Sequence, residues 1–82
     1  MILRTNQIEL QIINAYRIGF KAFLNEQQIY FRKIELYMKA FDKCFNVNNI
    51  MSYKGMKIPQ IKAVVESFAA KKKINLTVFD NQ

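Results

Sequence analysis

Three consecutive lysines, Lys71, Lys72 and Lys73, form the densest run of chemically active side chains in the sequence, and the chemistry they offer is the holding of negative charge. Cations in the last turn of a helix interact favourably with its free carbonyls by roughly 0.3–1 kcal/mol, which accounts for one or two of them. Three in a row repel one another and exceed what capping requires. Lys54, Lys57 and Lys62 come from the loop and first turn leading into the same segment. These three need not lie at the same end as the triplet, so the six are read as phosphate contacts in one patch or two, against the alternative of a solvated, solubilising helix end. Tyr53, set between Ser52 and Lys54 in a polar loop, is the aromatic placed to stack on a base.

Other chemistries lack their residues. The chain has no histidine, which removes the usual general base and the commonest metal ligand, and its one cysteine cannot make a structural zinc site. Glu9, Glu26, Glu35, Asp42, Glu66 and Asp80 are scattered, with Glu35, Asp42 and Glu66 on polar faces beside lysines, as solvated charges are. Cys44 continues an apolar seam and reads as a small core hydrophobe. Lys54-Gly55 is a lone glycine that matches no phosphate-binding loop. A non-enzymatic protein with no cofactor and no metal is expected.

Most of the aromatic residues fall on helical stripes. Tyr16, Phe20, Phe23, Phe31, Phe41 and Phe45 recur at spacings that bury them in a core or a dimer. The alternative to nucleic-acid binding follows from this: a protein-binding regulator or inhibitor docking through Tyr30, Phe31, Tyr37 and Met38, on a partner or on its own copy as a homodimer.

These side chains must be positioned by helices. Asn6 with Glu9 reads as an N-cap with its reciprocal glutamate, so a first helix is expected to start there. Ile8, Ile12, Ala15, Tyr16, Phe20 and Phe23 give it an apolar face, opposite Asn14, Arg17, Lys21 and Asn25. Tyr30, Phe31, Ile34, Tyr37, Met38, Phe41 and Phe45 continue the pattern beyond the polar tetrad Asn25 to Gln28. Residues 7–45 are thus either one long helix or two forming a hairpin, and a mean helix length of about 11 to 12 residues favours the hairpin.

Asn46-Val47-Asn48-Asn49 marks a boundary. Ile50 to Ile58 is expected to supply a strand or small hairpin. Pro59 opens a third helix whose apolar set is Ile61, Val64, Val65, Phe68 and Ala69. Ile74, Leu76 and Val78 then alternate with polar residues, at the period of a half-buried strand. The expected fold is an α-rich α+β domain spanning 1–82: a helical part, 1–46, followed by a basic β-α-β unit, 47–82.

The charge supports a binding role. The 82 residues carry 13 basic and 6 acidic side chains, a net +7. Residues 1–46 hold seven basic and four acidic residues, and 47–82 hold six and two, so the shorter second part is the more positive. Such a balance draws the chain toward phosphates, anionic surfaces or acidic proteins. No stretch approaches the roughly 20 apolar residues of a membrane span, no secretory h-region is visible at the N-terminus, and a lone cysteine suits a reducing compartment. The basic and apolar residues do not combine into one cationic amphipathic helix, so no membrane partner is expected. A cytoplasmic location follows. Heavy use of Ile, Asn, Lys, Phe and Tyr, whose codons are A/T-rich, suggests a small phage or mobile-element reading frame. The favoured function is binding of RNA or another nucleic acid by shape, or of a nucleic-acid-loaded host protein, as a modulator.

Overall fold

A computed structural model describes residues 2–76, with side chains from Gln7 onward. The described chain is helical: α1 (Ile2–Glu26), α2 (Phe31–Cys44), a short 3₁₀ turn (Ile50–Ser52) and α3 (Ile58–Lys71). Helix α1 starts upstream of Asn6, where a start was expected. Ile2 to Thr5 contain no proline or glycine, so once the helix is nucleated each added residue contributes a bond, and the local cap signal is overrun.

The chain turns after α1. Gln28 takes a left-handed φ of 58°. Its N–H donates to the Asn25 carbonyl at 3.0 Å, and the Ile29 N–H reaches back to Leu24 at 3.4 Å. This paired closure is the Schellman ending, with glutamine in the position glycine favours. Tyr30 is extended, and α2 begins at Phe31. The long-helix arrangement is thereby excluded. Phe20 meets Tyr37 and Phe41 at ring-centroid distances of 6.0 and 5.5 Å, and Tyr16 meets Phe45 at 6.4 Å, so α1 and α2 run antiparallel.

The core gathers the apolar stripes. Phe20 and Leu24 from α1, Ile34, Tyr37, Met38, Ala40, Phe41 and Cys44 from α2, and Ile61, Val65 and Ala69 from α3 are buried, with Phe45, Ile50 and Leu76 closing the ends. Gly19 lets the start of α3 approach α1: a Cβ there would lie 3.2 Å from Ile58 Cδ1.

The expected β-α-β unit is not formed, and the α+β assignment is corrected to an all-helical fold among the described residues. Ile50 to Ile58 holds no strand or hairpin. Ile50 is buried at the start of the 3₁₀ turn, Gly55 takes φ 90°, and Tyr16 staples the segment to α1. The Tyr16 hydroxyl donates to the Tyr53 carbonyl at 2.9 Å and accepts the Gly55 N–H at 2.8 Å. Turns and side chains bond the N–H groups of Ser52, Tyr53, Gly55, Met56 and Lys57, so the segment folds on itself rather than into a ladder.

The second expected strand fares similarly. Ile74 and Leu76 pack on the core, but Ile74 is tied to the end of α3 and Leu76 lies in a turn; Val78 is outside the described residues. Alternating side chains recorded burial correctly without requiring strand pairing. Two short strands are marginal without a partner sheet, whereas α1 and α2 already cover the core.

Candidate nucleic-acid interface

The asparagine boundary sets where α3 begins. Asn49 Nδ2 donates to the Cys44 carbonyl at 2.7 Å, capping the end of α2, while its Oδ1 accepts the Asn46 N–H at 3.0 Å. Asn46 Oδ1 in turn accepts the Asn48 N–H at 2.9 Å. These side-chain bonds mimic backbone turns and redirect the chain toward α3. At its start Pro59 occupies the first turn, and Gln60 Oε1 accepts the Lys57 N–H at 2.8 Å.

The far end of α3 carries the lysine run. Lys73 is left-handed, φ 59°; its N–H donates to Ala70 at 3.2 Å, and the Ile74 N–H donates to Ala69 at 2.8 Å. Lys72 N–H reaches the Phe68 carbonyl at 3.0 Å. The main chain therefore satisfies these late carbonyls itself, and the ammonium groups are not needed as caps. All three lysines are exposed. Lys72 Nζ lies 5.8 Å from the Phe68 ring centroid. Among the described residues no carboxylate pairs with any of the three.

The six lysines do not form the single patch that the sequence left open. Lys54 and Lys57 lie before α3 and Lys71 to Lys73 close it, separated by a helix about 21 Å long at 1.5 Å per residue. Lys62 is engaged: its Nζ lies 3.4 Å from Glu66 Oε2 and 5.8 Å from the Tyr37 ring centroid. Tyr53 is half-buried, with its ring 4.6 Å from that of Phe45. It nonetheless lines a groove of about 360 Å³ with Lys71, together with the buried Cys44, the partly buried Val64 and Phe68, and the exposed Ala63 and Ser67.

The alternative interface divides. Tyr30 and Phe31 are 50% and 70% exposed where α2 starts, whereas Tyr37 and Met38, at 3% and 6%, belong to the core. Tyr37 donates its hydroxyl proton to Glu66 Oε2 at 2.7 Å. Burial first, and that carboxylate second, raise its pKa well above the usual 10.

Sequence reading overlooked Ser67 and Ala63 as groove residues and counted Phe68 as core alone. The available signal was the 63, 67, 71 spacing, which at i, i+4, i+8 makes one ridge of α3 that ends in a lysine. A second groove, of about 390 Å³, includes Lys33, Lys62 and Asn75, but Glu66 brings a negative charge into it. A third, of about 620 Å³ between α1 and the loop before α3, is mostly apolar, with Ile12, Gly19, Met56 and Ile58 in its lining.

The Cys44 thiol is buried, and burial pushes its pKa up, away from the reactive thiolate. Arg17 and Asp42 form a two-point ion pair, at 2.8 and 3.2 Å, on the exposed face between α1 and α2. Among the described residues no group of three or more His, Cys, Asp or Glu side chains could hold a metal, and no helix is long and apolar enough to cross a membrane. No family model matches this chain, and no match was found among the curated proteins or the solved structures.

Proposed function

We propose that this is a small, basic, non-enzymatic protein that binds nucleic acid, RNA in preference, through the lysine-bearing end of α3. One observation carries the reading: Lys71, Lys72 and Lys73 are exposed and without a carboxylate partner among the described residues, at a helix end whose carbonyls the main chain already closes. Arg17 and Lys62, by contrast, are paired to Asp42 and Glu66. Uncompensated positive charge is thereby concentrated where a polyanion would release counterions on binding. Lys54 and Lys57 serve as a separate, weaker steering charge before α3. A nucleic-acid-loaded host protein would be held by the same contacts.

The test is copurification of the tagged protein, with salt titration of whatever accompanies it. Nucleic acid that is lost with salt, and whose log–log salt slope drops by about 2 to 3 when Lys71, Lys72 and Lys73 are changed to alanine, supports the reading. An unchanged slope rejects it. A nuclease-resistant, stoichiometric protein partner would favour docking through apolar surface instead, for which Tyr30 and Phe31 are the exposed members of the expected quartet.

A further inference from the structure

We infer that the groove lined by Tyr53, Val64, Ser67, Phe68 and Lys71 receives an unpaired base of a single-stranded nucleic acid whose phosphates lie along Lys71 to Lys73; this rests on the reading of the lysine end as a nucleic-acid contact. Three features converge on this occupant. The lining includes two partly buried aromatic residues, Tyr53 and Phe68, which offer a base apolar contact without a sequence code. The charge is complementary and local, since Lys71 lines the groove itself and Lys72 Nζ lies 5.8 Å from the Phe68 ring centroid, so a base in the groove leaves its phosphate beside ammonium groups.

The third feature is the polar edge. Ser67 is exposed and supplies a hydroxyl that can both donate to and accept from a base. Tyr53 is held by its ring contact with Phe45 and by the Tyr16 bond to its carbonyl, so its position is set before any ligand arrives. A duplex presents no unstacked base to such a groove, whereas a single strand does. In the groove between α2 and α3, Lys62 is already engaged by Glu66 and the lining aromatic, Tyr37, is buried and bonded to that same carboxylate, which leaves less for a nucleotide to contact.

The decisive measurement is binding of a short oligouridylate and of an RNA duplex of equal length to the whole protein, across salt concentrations. Ala63→Phe fills the groove from an exposed helical position, and Ser67→Leu does so more gently on the same ridge; a thermal melt establishes that each variant folds. The expected result is preference for the single strand and an approximately tenfold loss of that binding in Ala63→Phe, with duplex binding and salt slope unchanged. A 5-bromouridine oligomer should photocrosslink to Tyr53 or Phe68. Undiminished single-strand binding in both folded variants, or crosslinks confined to other elements, overturns the inference while leaving the lysine contact standing. Binding that ignores the triple-alanine change overturns both. An oligoglutamate peptide weakened by Ala63→Phe where the oligouridylate is not would assign the groove to acidic protein and overturn it as well.

Discussion

Tyr37 shows how one side chain's surroundings decide its role. It stands in the aromatic stripe of α2, yet its hydroxyl meets Glu66 of α3 at 2.7 Å, making it a link between helices rather than part of a docking face. Because its folded pKa lies above the ordinary value of 10, the folded chain retains a proton that the unfolded chain releases. The stability this contributes is complete below pH 10 and declines as pH climbs from there toward the raised folded value. Urea midpoints measured above pH 10 should therefore fall more steeply for the wild type than for Tyr37→Phe; parallel slopes would show that the hydroxyl environment contributes nothing. Tyr53 illustrates the same dependence on surroundings. Its polar neighbours Ser52 and Lys54 suggested an exposed ring, but Phe45, eight positions away, covers part of it.

At the scale of elements, the helix ends are the informative places. Both α1 and α3 finish in a left-handed non-glycine residue, Gln28 and Lys73, each with the same pair of backward main-chain bonds. Left-handed backbone crowds a Cβ by roughly 1–2 kcal/mol, part of which glycine returns as chain entropy on unfolding. Gln28→Gly should raise stability by about 0.5–1 kcal/mol, seen as a higher urea midpoint with unchanged m; a lower midpoint would mean the Gln28 side chain makes a compensating contact. The α1–α2 turn was legible only as a polar tetrad, since neither glycine nor proline marks it. The third helix was more transparent: Pro59 announced its start, and the Ile61, Val65, Ala69 spacing its buried face. The end of α3 was legible as a lysine cluster but not as a closed one, because the bonds from Lys73 and Ile74 depend on a backbone angle that lysine does not advertise.

For the whole molecule, the balance of charge is the controlling quantity. Among the described residues the ion pairs Arg17–Asp42 and Lys62–Glu66 lie on partly or largely exposed side chains, where such pairs contribute about 0–1 kcal/mol each. Against them stands a net charge of +7 on a chain with a radius of gyration of 13.3 Å. Self-repulsion should dominate, so added sodium chloride is expected to raise the melting temperature, and the Lys71, Lys72, Lys73 triple-alanine variant should show a smaller rise. A melting temperature that falls with salt would indicate that the pairs outweigh the repulsion. The sequence by itself determined the apolar stripes of α1, α2 and α3, the poverty of catalytic groups and the lysine run, because helical periodicity and composition are properties of neighbours along the chain. Only the tertiary structure decided that Ile50 to Ile58 and Ile74 to Leu76 would not form strands, that Arg17 and Lys62 would be neutralised, and that Tyr53 would share a groove with Lys71. Backbone pairing, burial and charge compensation join residues far apart in sequence, and those meetings are fixed only when the helices pack.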